Sequence, residues 1–187
     1  SIQTSIDIGA QQIVEKYVNG FKEAMGAKDI GVIVEDPFTG EIIAMDGGDR
    51  YDLNNPRDLS NVYSEDEIKA MSDEETVEAL NSMWSNFCVT DAYEPGSVVK
   101  PIVMASALEK GAIQESDTFV CDGAQTFGDT MIKCAVYPSA HGTETLGEVI
   151  ANSCNDAMMQ IGAKMGAVQF IKAQSLFNFG TRTGIDL

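Results

Sequence analysis

The chain has 187 residues, 44% of them hydrophobic and 22% charged, which is typical of a globular protein large enough to bury a core. Its formal net charge of −17 argues against nucleic acid as a partner, because phosphate backbones are bound by clustered Lys and Arg side chains. No apolar run approaches the roughly 20 residues that a membrane span needs, and an opening on Ser1 without a visible signal peptide suggests a piece of a longer polypeptide.

The N-terminal segment predicts a helix and a strand pair. The alternating stretch SIQTSIDIG at residues 1–9 predicts a strand that enters the domain. Apolar residues then recur at helical spacing, which predicts an amphipathic helix over residues 9–26. In GVIVEDPFTGEIIAMDG, two β-rich runs flank the turn signal DPFTG at residues 36–40, and this pattern predicts a β-hairpin.

The rest of the chain predicts an acidic surface excursion followed by a helical subdomain. Residues 49–83 hold ten acidic against three basic residues and predict exposed structure with one helix near residues 64–81. Over residues 84–187 the pattern becomes mostly helical, with helices predicted near 97–110, 144–152, 155–165 and 167–178. Gly111 and Gly166 stand where helix C-terminal glycines are expected. A strand pair followed by a helical body is an α+β fold.

The segment YEPGSVVKP at residues 93–101 contains Ser97 and Lys100, spaced as S-x-x-K. Residues at i and i+3 share a helix face, and Pro101 is tolerated only near a helix start, so Ser97 belongs in the first turn. There the helix dipole favours an anion, and a lysine whose pKa is lowered by burial can take the serine proton. The plainer interpretation is an N-cap serine followed by a chance lysine, since S-x-x-K is a common spacing.

A second motif, Ser153-Cys154-Asn155 in ANSCNDAMM, lies at the junction of two predicted helices. Alone it is consistent with an ordinary helix cap. S-x-x-K followed by S-x-N is, however, the pairing used by active-site serine penicillin-recognising enzymes. The two motifs together therefore favour nucleophilic catalysis over two unrelated caps.

The chain resembles class B penicillin-binding proteins, the peptidoglycan D,D-transpeptidases of elongation, division and sporulation. The segments that carry the resemblance occur in order as NNPRD, YEPGSVVKP, ALEKG, CDG, IKCAVYPSAHGTETL, NSCNDAM and FGTRTGIDL. The resemblance covers essentially the whole chain, from TSIDIGAQQ to TGIDL, and is closest to clostridial-type members of the spore or division subgroup. It implies part of a β-lactamase/transpeptidase-like fold, namely the helical subdomain with the N-terminal helix and the first hairpin of the central sheet.

The resemblance also implies roles for the motif residues. Ser97 is the expected nucleophile, acylated by the penultimate D-Ala of a stem peptide, and Lys100 the expected general base. Ser153 would relay protons to the leaving amine, Asn155 would bind the substrate amide, and Ser97 N–H would supply half of an oxyanion hole. The family's third motif, K-T-G, does not occur in this chain and is expected beyond Leu187. We therefore expect the activity of the parent protein, and incomplete catalytic machinery within these residues.

Cys121, Cys134, His141 and Cys154 lie within 34 residues, separated by twelve, six and twelve residues. Thiolates and imidazole are the ligands that tetrahedral Zn²⁺ favours, although the spacings differ from those of a short zinc finger. Two other interpretations stay open at this stage. Cys121 and Cys134 could form a disulfide in a domain outside the cell membrane, or the cysteines could be buried apolar groups. The family's catalysis implies no cofactor, so a zinc ion here would be structural.

Three functions remain compatible with the motifs: a D,D-transpeptidase, a β-lactamase-like serine hydrolase, and a β-lactam-binding sensor or silent scaffold. The resemblance implies stem peptides and β-lactams as partners. It also implies a parent protein anchored in a bacterial cell membrane, with the catalytic domain on the extracytoplasmic side and a glycosyltransferase partner. A hairpin without neighbouring strands has an exposed edge, so we expect this chain to self-associate.

Overall fold

The computed structural model describes residues 3–185, which divide into two compact units. The first unit runs to Tyr93 and takes in Ile185, and the second runs from Glu94 to Gly184. Both combine helices with antiparallel strand pairs, which confirms the predicted α+β class. No helix within residues 3–185 is long and apolar enough to cross a bilayer.

The first unit begins with a helix packed on a β-hairpin. Helix α1 (Ile8–Met25) starts at Asp7, whose carboxylate accepts a hydrogen bond from Ala10 N at 2.7 Å. Strands β1 (Val32–Glu35) and β2 (Ile42–Asp46) pair antiparallel, and α1 lies against β2. The predicted helix and hairpin are confirmed. The predicted strand over residues 1–9 is wrong at residues 3–7, because this approach to the helix cap is not a strand; residues 1 and 2 lie outside the described range.

The acidic segment contains two helices where one was predicted. Helix α2 (Glu65–Ala70) begins at Ser64 and helix α3 (Asp73–Trp84) begins at Ser72. Each serine forms a capping box with the glutamate three residues later, which satisfies two otherwise unpaired backbone N–H groups. The prediction of one helix over residues 64–81 is wrong because the second capping box starts a new helix. A short helix, α4 (Phe87–Thr90), follows.

The second unit combines helices with two small antiparallel sheets. A 3-10 turn over Gly96–Val99 leads directly into helix α5 (Lys100–Glu109). The later elements are β3 (Thr118–Cys121), β4 (Ala124–Phe127), β5 (Thr130–Lys133), β6 (Gly142–Thr145), α6 (Leu146–Ala151) and α7 (Asn155–Leu176). Strand β3 pairs with β6, and β4 pairs with β5. The mostly helical pattern predicted beyond Trp84 missed these four strands, because runs of four residues are too short to show a two-residue period.

Several helix boundaries in this unit follow from local chemistry. Helix α6 begins later than predicted, because Thr145 is its N-cap and forms a capping box with Glu148. Gly111 adopts φ 66° just after α5, as expected of a helix C-terminal glycine. Gly166 adopts φ 72° and ψ 157° and breaks α7 into the two predicted helices.

The core of the second unit lies between α5 and α7 and extends under the strands. Its buried members are Met104, Ala107, Ile113, Phe119, Cys121, Cys134, Val149, Cys154, Ala157, Met158, Ile161, Met165 and Ala173. Three of the four cysteines are in this set. The core therefore reaches the start of α7, where the S-x-N motif lies.

Candidate active site

The S-x-x-K motif occupies the transition from the 3-10 turn to α5. Ser97 is exposed in the turn, and Lys100 is the half-buried first residue of the helix. Pro101 follows within the first turn, where its missing N–H leaves no helical hydrogen bond unmade. This local geometry places a reactive serine at the surface and points the lysine towards the core.

The structure brings Ser97, Lys100, Ser153 and Asn155 together through side-chain hydrogen bonds. Lys100 Nζ donates to Ser153 Oγ at 3.0 Å, to Ser153 O at 2.5 Å and to Asn155 Oδ1 at 2.6 Å. Ser153 Oγ in turn lies 3.0 Å from Ser97 Oγ. Because a hydroxyl group both donates and accepts, this chain of contacts can carry a proton in either direction between Ser97 and Lys100.

The electrostatics favour the neutral, proton-accepting form of Lys100. Burial lowers the pKa of the Lys100 ammonium below its usual value, and Cys134 and Cys154, when ionised, act in the opposite direction. Burial disfavours the charged form of the amine, so a larger fraction is neutral at a given pH. A neutral amine has the lone pair that a general base needs.

The S-x-N motif lies in a strained turn between α6 and α7. Ser153 has φ 50°, the left-handed conformation, which costs about 1–3 kcal/mol for a residue other than glycine. Its N–H donates to Ile150 O at 3.1 Å, and Cys154 N–H donates to Val149 O at 2.9 Å. These two bonds form a Schellman motif in which Ser153 takes the position usually held by glycine. The next residue, Cys154, caps α7, with its Sγ 3.4 Å from Ala157 N.

Asn155 is fixed from two directions. Its Oδ1 accepts from Lys100 Nζ, and its Nδ2 donates to Lys133 O at the end of β5 at 3.2 Å. One amide hydrogen of Asn155 is left over after these two bonds, since a side-chain amide carries two. That hydrogen is chemically suited to bind a carbonyl oxygen of a ligand.

An apolar groove of about 640 Å³ opens beside Lys100 and Asn155. Its walls include Val103 from α5, Ile132 from β5 and Met159 from α7. A concave apolar site with a few convergent polar groups is the usual form of a small-molecule binding site. The candidate catalytic groups therefore border a space that can take a ligand.

The structure also brings Cys121, Cys134, His141 and Cys154 together. One candidate ligand atom from each residue lies within 4.8 Å of those of the other three. The Sγ atoms of Cys134 and Cys154 are 3.9 Å apart, and Cys134 Sγ is 3.9 Å from His141 Nδ1. All four cysteines of the chain are free thiols, so the alternative of a Cys121–Cys134 disulfide is wrong for this structure. We call these four residues the thiol cluster.

The pKa values of the Cys134 and Cys154 thiols are shifted in opposite directions. Burial alone would raise the pKa of Cys134, but the backbone N–H groups of Asp156 and Asn155 at the start of α7 outweigh it, so the pKa lies below its ordinary value. Burial, with a smaller contribution from Glu144, raises the pKa of Cys154. A thiol of lowered pKa at a helix N-terminus loses its proton more readily, and the thiolate is the form in which cysteine binds a metal ion.

Sequence reasoning missed two buried acids near the site. Asp156 accepts hydrogen bonds from Asp122 N at 2.9 Å, Gly123 N at 3.2 Å, Gln125 Nε2 at 2.6 Å and Gln160 Nε2 at 2.8 Å. Burial would raise its pKa, but these bonds, led by those from Gln160 and Gln125, hold the pKa below its usual value. Asp156 therefore fixes the loop after Cys121 to α7.

The second buried acid is Glu144, which is 2% exposed on β6. Its Oε1 accepts from Asn152 Nδ2 at 2.9 Å. Its Oε2 lies 3.7 Å from His141 Nδ1 and has no hydrogen-bond partner among residues 3–185. The signal was hidden because residues 144–152 predicted a helix, on which the first residue would be exposed.

Comparisons with known proteins identify the relatives of this chain. The sequence profile of the penicillin binding protein transpeptidase domain matches residues 30–187. Stage V sporulation protein D of Bacillus subtilis is 27% identical over 187 residues, covering 100% of this chain and 26% of that protein. Peptidoglycan D,D-transpeptidase FtsI of Escherichia coli K12 is also 27% identical over 187 residues, covering 100% of this chain and 28% of that protein. The chain thus spans little more than a quarter of the length of these relatives.

A solved structure shares the fold. The D,D-transpeptidase domain of a peptidoglycan glycosyltransferase from Eggerthella lenta superposes with a TM-score of 0.71 at 22% identity. The match covers 95% of this chain and 38% of that chain. At this level of identity the likeness establishes the fold alone.

Proposed function

The chain belongs to the penicillin-binding protein transpeptidase domain family, and on that premise we propose that it carries the nucleophile of a peptidoglycan D,D-transpeptidase. The observation that carries the proposal is the hydrogen-bonded path from Lys100 Nζ through Ser153 Oγ to Ser97 Oγ. Its three groups are those that a serine acyltransferase needs: a nucleophile, a proton relay and a base of lowered pKa.

In the proposed reaction, Ser97 Oγ attacks the carbonyl carbon of the penultimate D-Ala of a stem peptide. Its proton passes through Ser153 Oγ to Lys100 Nζ, so the hydroxyl attacks as an alkoxide-like group. The C–N bond then breaks, and the proton returns from Lys100 Nζ through Ser153 Oγ to the leaving amine, so that terminal D-Ala departs. The amine of a second stem peptide attacks the acyl carbon and gives up a proton to Lys100, the bond to Ser97 Oγ breaks, and Ser97 takes that proton back through Ser153. The free amide hydrogen of Asn155 orients the substrate carbonyl.

The experiment that tests this proposal is covalent labelling of the parent protein by a fluorescent penicillin, followed by the lifetime of the adduct. A strained β-lactam amide reacts with the same serine and leaves an acyl-enzyme. A long-lived adduct supports the transpeptidase, whereas rapid turnover would support a β-lactamase-like hydrolase. A long-lived adduct without cross-linking of stem peptides by the parent protein would support a β-lactam sensor, and no adduct would support a silent scaffold.

We also propose that the thiol cluster holds a structural zinc ion. The edges of a tetrahedron of sulfur and nitrogen ligands around Zn²⁺ measure about 3.5–3.8 Å, close to the two separations of 3.9 Å in the cluster. Glu144 supports the presence of a bound cation in the thiol cluster. Its Oε2 is buried beside His141 without a hydrogen-bond partner among residues 3–185, and a nearby positive charge would stabilise it.

A bound zinc ion would supply no step of acyl transfer. It would fix the ends of β3, β5 and β6 to the start of α7, directly behind the S-x-N turn. Elemental analysis of protein purified without added metal tests the site. We expect close to one equivalent of zinc, and less than about a tenth of an equivalent would contradict the proposal.

The proposed partners follow from the family rather than from these residues. Stem peptides and β-lactams are the proposed ligands of Ser97. We propose that the parent protein is anchored in a bacterial cell membrane, works on the extracytoplasmic side and acts with a glycosyltransferase. Fractionation of cells that express the tagged parent protein tests the anchor, since recovery in the soluble fraction would contradict it.

A further inference from the structure

The S-x-N turn is held by side chains as well as by its two backbone hydrogen bonds. Ser153 stands at φ 50° in a position that favours glycine, so the turn is strained. Lys100 Nζ holds Ser153 from the catalytic side through its carbonyl and hydroxyl oxygens. The neighbouring residue Asn152, the C-cap of α6, is held by a side chain that neither motif contains.

We propose that Glu144 is a positioning residue for the acylation reaction, acting through Asn152 on the conformation of Ser153. Glu144 Oε1 accepts from Asn152 Nδ2 at 2.9 Å, and Asn152 directly precedes Ser153. Leaving a buried acceptor without its hydrogen-bond partner is costly, so this bond fixes the C-cap of α6. Glu144 is hydrogen-bonded to Asn152 and not to Ser97, so the proposed effect on the proton path passes through the turn.

Burial explains why this acid can act as an anchor. Glu144 is 2% exposed and lies on β6 opposite Phe119 of β3, so its side chain has one fixed direction. Its second oxygen faces His141, a member of the thiol cluster. Glu144 therefore joins the thiol cluster to the catalytic turn through a contact on each side of its carboxylate. The inference rests on the proposed acyl transfer at Ser97.

The test is a set of variants of the parent protein that exchange the donor Asn152 and the acceptor Glu144 of this hydrogen bond. Asn152→Asp places two carboxylates together and removes the hydrogen bond, and Asn152 is exposed, so this change is compatible with folding. Glu144→Gln keeps an acceptor for Asn152. The double variant Glu144→Gln with Asn152→Asp reverses the donor and the acceptor and restores one hydrogen bond. Glu109→Gln, at an exposed position at the end of α5, is the matched control.

The quantity to measure is the second-order rate constant for fluorescent penicillin labelling, expressed per folded protein. We expect Asn152→Asp to lower it about tenfold or more, and Glu144→Gln to stay within about threefold of the unmodified protein. The double variant is expected to recover most of the loss seen in Asn152→Asp, and Glu109→Gln to label at the unmodified rate. Recovery of the labelling rate per folded protein in the double variant is a readout that a role in stability alone would not give.

Other outcomes have separate meanings. Unmodified labelling in Asn152→Asp would overturn the positioning role, and so would a loss in the double variant equal to that in Asn152→Asp alone. A lowered melting temperature with an unchanged rate per folded protein would overturn it too, because Glu144 would then only stabilise the fold. If the unmodified parent protein takes no label at all, the proposed acyl transfer fails rather than this inference.

Discussion

The two compact units differ in how completely they bury their apolar side chains. The second unit surrounds α5 and α7 with thirteen buried core residues. The first unit contains a buried cluster of Leu59, Ala79 and Leu80, while α1 leaves a stripe of large apolar residues exposed. Both the Ser97 site and the thiol cluster belong to the unit with the larger core. The contrast indicates that the reactive groups lie beside the larger buried core, whereas α1 of the first unit leaves an apolar face uncovered.

Rigid support matters because the candidate site depends on small distances. The path from Lys100 to Ser97 consists of two contacts of 3.0 Å, and a displacement of about 1 Å would break either one. The following predictions test whether changes in the second unit affect chemistry and stability, while changes on α1 affect only association.

The largest effect is expected at the nucleophile and its base. Ser97→Ala in the parent protein should abolish covalent penicillin labelling, because Ser97 Oγ supplies the oxygen of the acyl bond. Lys100→Ala should lower the labelling rate by about three orders of magnitude or more, since residues that act as one unit lose comparable factors. Gel fluorescence after timed incubation measures both.

Matched controls for these variants lie in the same unit. Ser116→Ala and Lys110→Ala remove the same functional groups at exposed positions outside the site and should leave labelling unchanged. Labelling of Ser97→Ala at the unmodified rate would contradict the role of Ser97 as the nucleophile. Loss of labelling in Ser116→Ala would show instead that the unit is generally fragile.

The next effect concerns stability and the thiol cluster. Removing zinc with a chelator should lower the melting temperature by about 10 °C or more, because the unfolded chain has no preformed site and binding therefore contributes directly to folding. Cys134→Ser and His141→Ala should lower it in the same direction. Scanning calorimetry of this chain with and without chelator measures the change.

Cys88 provides the matched control for the thiol cluster. Its thiol is half-buried in the first unit, and its Sγ lies 3.4 Å from Asp46 O, outside the cluster. Cys88→Ser should therefore leave chelator sensitivity intact. Sensitivity to reductant with indifference to chelator would contradict both the zinc proposal and the free thiols of the structure.

The sequence predicted those parts of the fold in which a strong local signal agrees with the tertiary structure. The DPFTG segment predicted the hairpin and Gly166 predicted the break in α7. Asp, Pro and Gly are favoured in turns and Gly at positive φ, so these residues indicate backbone conformation directly. Ser72 carried an equally clear capping signal with Glu75 that the single-helix prediction overlooked. The strands β3 to β6 gave no periodic signal, since their pairing depends on partners distant in the chain.

The same distinction applies to the site. Motif spacing identified Ser97, Lys100, Ser153 and Asn155, and residue type identified the thiol cluster. Both signals depend only on the identity and order of residues along the chain. Glu144 and Asp156 were missed, because an acid in sequence predicts exposure unless its partners are known. Apart from Gln160, which lies one turn along α7 from Asp156, their partners are 8 to 34 positions away, which no local pattern shows.

A smaller effect is expected from pH. Burial lowers the pKa of Lys100, and a general base works in its neutral form, so the labelling rate should rise with pH. The rise is expected to be about tenfold per pH unit below that pKa and to level off at a lower pH than for an exposed lysine. Rates measured from about pH 6 to 10, below the ordinary lysine pKa of about 10.4, and corrected for hydrolysis of the penicillin in buffer alone, test this. A flat profile would exclude Lys100 as the base.

The smallest effect is expected on α1, where Ile13, Tyr17, Phe21 and Met25 are between 50% and 70% exposed at a spacing of four residues. Such a stripe favours weak self-association of this chain, opposed by its net charge of −17. Added salt screens that repulsion over about 10 Å at 0.1 M, so association should increase with salt. In sedimentation, the double variant Tyr17→Ser with Phe21→Ser should stay monomeric under conditions in which the unmodified chain associates. Phe38→Ser is the control: it removes a side chain outside the stripe that is 95% exposed, and it should not change association. A chain that stays monomeric at every concentration in high salt would contradict the contrast between the two units, because the exposed stripe would then have no tendency to be covered.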